Sequence, residues 1–509
     1  MSLKTIWPAL ACGIWIPLAA AGSNGAALSS LSNLIPPMLS GIAAAILVYG
    51  VSFFVYRSYA AAGLFSAIAV LGFWGWSELR LMINGSWVVH WMLLQRYDWL
   101  LTIVLVVGLG YLAVRWLERP FIRYLSGISR FCGVLSALAL VSAVWSMEAG
   151  SWPPSIEPKP SALEAAPESP DVFIIVLDSY AGAASLKRHD FDNSSFVEAL
   201  QSRGFVAPPQ ARSNYTLTLL SLASMLNWDY AQNLVPSWPP PSEKEFAKTI
   251  LFNHTFRELL TRGYELAWAP SSLWFLRQHP WATYNLGKPV VLSSEFSAFW
   301  VSMTPIPQLR RLICRVIICS RPPSEPIEDL PRIQSRLAAI SQLPAESRHR
   351  PRLVFAHLML THDPYYLTPD CLEKDPYPSR SILLGPATAD IKNSYLDQLT
   401  CANTLILNLV DQILSNSKQR PIIILQGDHG QRYGLAAQEG LVNPEWFDTF
   451  AAYLIPPERE AALYDAITPM EAFRAIFDVP GSFPEVRPSI RQFMSQTSKP
   501  FTLTPWNPE

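Results

Sequence analysis

The chain has 509 residues, half of them hydrophobic and 18 of them Trp, with a net charge of -1. A mean hydropathy of +0.18 is too high for one soluble domain and too low for a bundle buried wholly in lipid. A charge so close to zero gives no sign of the basic footprint of a nucleic-acid binder, and no nucleic-acid partner is expected.

The apolar residues are concentrated at the N-terminus. Stretches 6–22, 37–56, 60–79, 98–117 and 131–148 each approach the roughly 20 residues a bilayer core demands. Residues 1–150 therefore read as a transmembrane domain of about five helices, not a cleaved signal peptide. With five crossings, Lys4, Arg57 and the group Arg115, Arg119, Arg123 and Arg130 fall on one side, while loop 23–36 carries no charge. An excess of Arg and Lys marks the cytoplasmic face, which places the N-terminus inside and everything after 148 outside. Loop 80–97, with Arg80 and Arg96, runs against this pattern, and a four-span count would reverse the large domain. The Trp-rich segment 74–100 reads as an interfacial aromatic belt or as ordinary anchoring.

Residues 151–170, "SWPPSIEPKPSALEAAPESP", lack an apolar period and read as an extended linker. A soluble domain is expected over 171–490, leaving 491–509 as a C-terminal tail. Cys12 and Cys132 lie in predicted spans, whereas Cys314, Cys319, Cys371 and Cys401 belong to the soluble domain. An even number of cysteines in an exported domain predicts two disulfides. Of the three connectivities, Cys371–Cys401 with Cys314–Cys319 is favoured over the others and over free thiols.

Apolar runs at 171–180, 352–366, 421–430 and 449–456 read as strands, and helix-like segments fall at 193–203, 218–227, 390–416 and 469–477. Their alternation predicts an α/β/α domain with a mostly parallel sheet. Ligands of such sheets bind beyond the carboxyl ends of the strands. Three runs end in polar residues: Asp178, then His362-Asp363, then Asp428-His429. A lone Asp-His pair between Gly427 and Gly430 would read as a turn, but three polar strand ends on one edge read as a site. His357 lies five residues before His362. On a continuous strand it would face the other way, as a structural or substrate-side group. In "RSNYTLTLLSLASMLN", 212–227, an apolar helical face begins after Asn214, so Thr216 or Thr218 starts a helix. Either hydroxyl is a helix cap or lies in an anion site formed by the helix dipole. Arg212 and Asn214 are candidates for phosphate contact.

Taken in order, these residues resemble the membrane-anchored branch of the alkaline phosphatase/sulfatase superfamily, which includes lipoteichoic acid synthases and phosphoethanolamine transferases. Asp178 matches the acid of the first strand. Thr218-Leu-Leu-Ser221 matches T-x-x-S, which selects Thr218 over Thr216. His357, His362, Pro364 and Tyr366 match H-x-x-x-x-H-x-P-x-Y, and Asp428, His429 and Gly430 match the late D-H-G. The resemblance implies five spans followed by an alkaline-phosphatase-like domain outside a bacterial inner membrane. It also implies one tightly bound divalent metal, with Asp178, Thr218, Asp428 and His429 as its ligands. Mixed carboxylate and imidazole ligands suit Zn or Mn. Thr218 would attack a phospholipid donor and carry its head group, of the phosphoethanolamine or phosphoglycerol type, to an envelope glycan or lipid acceptor. His362 would stabilise the phosphoryl oxygens or shuttle a proton, with His357, Arg212 and Asn214 on the substrate side.

Three departures bear on the substrate. The transferases usually carry Glu where this chain has Asp178, as hydrolytic members do. The further His that phosphoethanolamine transferases place about a dozen residues after D-H-G is missing, and no cysteine fits the C/S-x-P-x-R motif of sulfatases. A membrane-anchored phosphodiesterase or sulfatase-like hydrolase is thus the alternative. A non-catalytic relative is a more remote one, since it would have lost a ligand.

Overall fold

The computed structural model describes residues 3–23, 35–76, 79, 98–148, 157–161, 169–235, 242–287, 304, 330–374, 389–432, 443–477, 491–496 and 499–506. The chain divides into two compact units near residue 152.

The first unit is helical: α1 (Leu3–Ser23), α2 (Ile35–Tyr56), α3 (Tyr59–Trp74) and α4 (Asp98–Glu148). Among the described residues, two segments are long and apolar enough to cross a membrane, Pro37–Tyr56 in α2 and Leu101–Ser142 in α4. The spans expected at 98–117 and 131–148 are one continuous helix of 51 residues with Pro120 inside it. The charges of the stretch between them, from Glu118 to Arg130, lower the hydropathy without ending the helix, which runs on through Pro120. Helix α3 stops short of its expected end at 79, with Gly75 as its C-cap. At Gly63 of α3 a Cβ would lie 2.0 Å from the Thr5 carbonyl of α1, so these two helices meet through a glycine. Residues 80–97, the greater part of the expected aromatic belt, lie outside the described residues.

The second unit is an α/β domain. Among the described residues its main sheet has six strands in the order β3-β2-β4-β1-β5-β6. They are β1 (Val172–Leu177), β2 (Glu265–Ala269), β3 (Tyr284–Asn285), β4 (Arg352–Leu358), β5 (Ile422–Gly427) and β6 (Ala451–Leu454). All neighbours pair in parallel except β6, which runs antiparallel to β5. Unbroken apolar runs such as "VFIIVL" suit central strands covered on both faces, and all six residues of β1 are buried. The helix expected at 218–227 spans Thr218–Asn227, and the one expected at 390–416 spans Ala389–Asn416.

The segment expected as a C-terminal tail instead pairs as an antiparallel hairpin, β7 (Gln492–Gln496) with β8 (Lys499–Trp506). It is held beside the start of helix Thr218–Asn227: the Phe493 N–H donates to the Asn214 carbonyl and the Phe493 ring stacks on Tyr215. Part of the expected linker is also docked. The Glu157 carboxylate pairs with Arg257, and its carbonyl accepts the indole N–H of Trp281. The predicted Cys371–Cys401 disulfide is formed, with Cα atoms 5.1 Å apart, and ties the loop after β4 to helix Ala389–Asn416. Cys314 and Cys319 lie outside the described residues.

Candidate metal centre and nucleophile

The sheet register builds the site. Leu177 of β1 is level with Leu358 of β4 and with Gly427 of β5, so three central strands end together. Asp178 and Asp428 follow at once on neighbouring strands. His357 is level with Val176 and Gln426. Residues in register in parallel strands share a face, and so do residues two apart along one strand. Asp178, Asp428 and His357 therefore project from the same face. Ligand atoms of these three buried side chains lie within 4.8 Å of one another. The opposite placement expected for His357 fails for a simple reason: β4 ends at Leu358, and Met359–Thr361 form a 3-10 turn. Alternation counted back from His362 does not survive that turn.

Each carboxylate has one oxygen tied to the protein and one left pointing inward. Asp178 Oδ1 accepts the Ser179 hydroxyl at 2.9 Å. Asp428 Oδ1 accepts the backbone N–H groups of Ser179 and His429, each at 2.9 Å. Ser179 serves both acids from a left-handed conformation with φ of 60°, rare for a residue with a side chain and commonly kept at functional sites. The remaining oxygens face the cluster. Asp178 Oδ2 lies 3.4 Å from Thr218 Oγ1 and 3.4 Å from His357 Nε2. Asp428 Oδ2 is 3.5 Å from His429 Nε2.

Thr218 is the first residue of its helix, after the cap residue Leu217, and no side chain caps that end. The capping role open to a threonine here is therefore not used. Its hydroxyl points instead to Asp178 and to His429 Nε2, the latter at 3.3 Å. His429 Nδ1 is 2.9 Å from the Gly430 carbonyl, which can only accept, so Nδ1 carries the proton and Nε2 turns a lone pair toward Thr218. Thr216 is buried elsewhere, its carbonyl accepting a hydrogen bond from Arg432.

The two glycines flanking the Asp-His pair are explained by close approach. A Cβ at Gly427 would lie 2.2 Å from Thr449 Oγ1, and one at Gly430 would lie 2.1 Å from the Glu445 carbonyl. The D-H-G segment is thus clamped between β1 and loop 443–450.

Electrostatics divide the cluster. Burial works against charge on Asp178, but His362, His357 and His429 outweigh it and hold this carboxyl below its usual range. Asp428 is pushed up by burial and by the neighbouring Asp178. Burial also works against His362, yet Asp178 and Asp363 raise it to about 9. Its Nδ1 donates to the Asp363 carbonyl at 2.7 Å. His362 is thus a cation at the site. Arg212 and Asn214 do not join the cluster. Arg212 pairs along the backbone with Asp448, and the Asn214 amide donates to the Arg491 carbonyl. No hydrogen bond or ion pair links either one to Asp178, Thr218 or His429 among the described residues.

The donor set fits a divalent cation. Asp428 Oδ2 and His357 Nε2 are buried with no hydrogen-bond partner, an arrangement that costs free energy unless something else satisfies them. Carboxylate oxygens and imidazole nitrogens around one point are the ligand types of Zn and Mn sites.

The chain belongs to the sulfatase family, whose family model matches residues 170–456. No curated protein matches it in sequence. Among solved structures it is similar to the integral membrane lipooligosaccharide phosphoethanolamine transferase A from Neisseria meningitidis, at 12% identity over 94% of this chain and 96% of that one, with a TM-score of 0.37. It is also similar to the periplasmic domain of a Campylobacter jejuni phosphoethanolamine transferase, at 15% identity over 60% of this chain and 87% of that one, TM-score 0.34. A 2-O glycosaminoglycan sulfatase matches at 11% identity over 62% and 72%, TM-score 0.36. These superpositions are loose, and the family assignment rests on the sequence match.

Proposed function

We propose that the chain is a metal-dependent phosphotransferase. It would move a phospholipid head group, of the phosphoethanolamine or phosphoglycerol type, to an extracytoplasmic glycan or lipid acceptor through a phosphorylated Thr218. The observation that carries this is the Thr218 hydroxyl. It stands uncapped at a helix start, within 3.4 Å of Asp178 Oδ2 and 3.3 Å of His429 Nε2, beside two buried atoms with no hydrogen-bond partner.

Asp178, Thr218, Asp428 and His429 would hold one divalent cation, Zn or Mn. Bound there, it supplies the positive charge that lowers the pKa of a hydroxyl and shields a phosphodiester. The rest is done by the chain. The helix start directs free N–H groups at the phosphate, where the dipole favours an anion. Thr218 attacks the phosphorus, and the bond to the lipid alcohol breaks as the bond to Oγ1 forms. His362, protonated and hydrogen-bonded to the Asp363 carbonyl, would stabilise the phosphoryl oxygens and hand a proton to the departing diacylglycerol. An acceptor hydroxyl then attacks the same phosphorus, its proton passing to His362 as the bond from phosphorus to Oγ1 breaks and restores Thr218. The helical unit would cross the bacterial inner membrane several times. The α/β unit would lie in the periplasm near outer-leaflet donors, a placement that the Cys371–Cys401 disulfide supports, since such bonds persist in oxidising compartments.

One feature favours hydrolysis as a second reading. Asp178 is shorter than the Glu usual in the transferases, as in hydrolytic relatives, and water would then take the place of the acceptor. The test is release of diacylglycerol from labelled phosphatidylethanolamine and phosphatidylglycerol by the reconstituted full-length protein, with and without an acceptor. Release that depends on acceptor supports transfer. Acceptor-independent release of the free head group supports hydrolysis, and no release from any phospholipid rejects both.

A further inference from the structure

His357 has no place in the four-ligand set, yet it is fully buried and its Nε2 has no hydrogen-bond partner. On its other side stands Ser271, also fully buried, with Oγ 3.2 Å from His357 Nδ1. We propose that Ser271 fixes His357 as the tautomer protonated on Nδ1, making His357 a second imidazole ligand of the cation beside His429. This rests on the metal reading above.

The neighbourhood follows from the register. Ala269 at the end of β2 is level with Ala356 of β4, so the chain just beyond β2 runs beside His357. The turn that follows fixes Ser271 in place, its N–H donating to the Leu276 carbonyl at 3.1 Å. A serine hydroxyl can donate or accept, so Ser271 alone does not choose the tautomer. The far nitrogen does. His357 Nε2 lies 3.4 Å from Asp178 Oδ2, but a proton on it would not point along a hydrogen bond to that oxygen. That proton would be stranded on a fully buried atom. A lone pair on Nε2 has a use at the same place, because Asp178, Asp428 and His357 offer ligand atoms within 4.8 Å of one another. The proton then resides on Nδ1 and Ser271 accepts it. Metal-bound histidines are commonly oriented by such an outer hydrogen bond.

The set becomes two carboxylates, one hydroxyl and two imidazoles. A second nitrogen moves the site from the oxygen-rich donors that suit Mn toward those that suit Zn. Ser271 is a positioning residue in this scheme and touches no substrate.

The experiment uses the purified full-length protein loaded with Zn, and X-ray absorption fine structure counts its imidazole ligands. Two are expected in the wild type and one in His357→Gln. Ser271→Ala should weaken Zn binding about 10–100-fold, measured by competition with a chromophoric chelator, while circular dichroism stays unchanged. The wild-type preference for Zn over Mn should narrow in His357→Gln. One imidazole in the wild type, unchanged in His357→Gln, overturns the proposal and leaves the four-ligand metal site standing. Wild-type affinity in Ser271→Ala overturns the role of Ser271. A wild type that binds no divalent cation overturns the metal reading itself, and this proposal with it.

Discussion

Gly430→Ala tests whether loop 443–450 fixes the Asp-His pair. The added Cβ would lie 2.1 Å from the Glu445 carbonyl and 2.5 Å from the Asp448 carbonyl, where real Cβ contacts essentially never fall under 3.0 Å. Both obstacles are backbone, so no rotamer change relieves them. Either the loop or residues 428–430 must retreat by about 1 Å, a misplacement of the size that can cost about 100-fold in rate. The 2.8 Å hydrogen bond from the Gly430 N–H to the Trp446 carbonyl would be strained by the same shift. Overpacking of this kind destabilises by about 1–3 kcal/mol. Urea unfolding of the α/β domain should show that loss, and diacylglycerol release should fall about 100-fold. Gly427→Ala is the informative contrast, because its closest obstacle is the Thr449 hydroxyl at 2.2 Å, a side chain. Thr449→Ala should partly rescue Gly427→Ala and should do nothing for Gly430→Ala. A Gly430→Ala protein with wild-type stability and turnover would refute the idea that close backbone approach sets the site.

Thr218→Ala should cut transfer by on the order of 10⁴-fold or more. It should cost no more than about 1 kcal/mol, since that side chain caps nothing. Thr218→Ser should keep measurable turnover and Thr216→Ala most of it, and the reverse pattern in a kinetic assay would reject Thr218. Reducing Cys371–Cys401, which closes a sequence separation of 30 residues, should lower stability by about 3–4 kcal/mol in the chain-entropy picture. Urea midpoints with and without reductant measure that, and equal midpoints would contradict it. In metal-free protein, His362 has a folded pKa raised to about 9, above its ordinary value. Its stabilisation, on the order of 3 kcal/mol, is therefore full below about pH 6.5 and lost as the pH rises through about 9. The stability gap between wild type and His362→Gln should shrink from pH 6 to pH 9.5, and a gap that stays constant would contradict this. Adding Zn should flatten the dependence, because the cation then shares the charge of Asp178.

The carboxyl-edge site was legible because the chemistry sits on central strands whose apolar runs are easy to read. Once β1 and β5 pair in register, Asp178 and Asp428 must be neighbours. The helix at Thr218 showed in its apolar period, though the T-x-x-S resemblance was needed to choose between two threonines. His357 was misplaced because a 3-10 turn breaks the strand alternation, and a turn of three residues leaves no periodic signal. Ser271 was invisible: a serine in "APSSLW" carries no signal of its role, which exists only through the pairing of β2 with β4. Strand β2 itself, "ELAWA", is too short to stand out. In the helical unit hydropathy located the apolar helices. It could not tell a loop from a charged but helical stretch, so two expected spans proved to be one helix. Arg212 and Asn214 lie close in sequence to Thr218, but the Arg212 N–H donates to the Ile467 carbonyl and Asn214 is bonded to Arg491 and Phe493 at the C-terminal hairpin.

The covalent step can be observed directly. Full-length protein is mixed with phosphatidylethanolamine or phosphatidylglycerol without acceptor, quenched in acid, digested, and the peptide holding Thr218 is weighed by mass spectrometry. A phosphoethanolamine or phosphoglycerol adduct on Thr218 is predicted, dependent on divalent metal and lost on adding an acceptor. Diacylglycerol release with no adduct on Thr218 at any time point would contradict the covalent route and leave direct attack by an activated water or acceptor in its place.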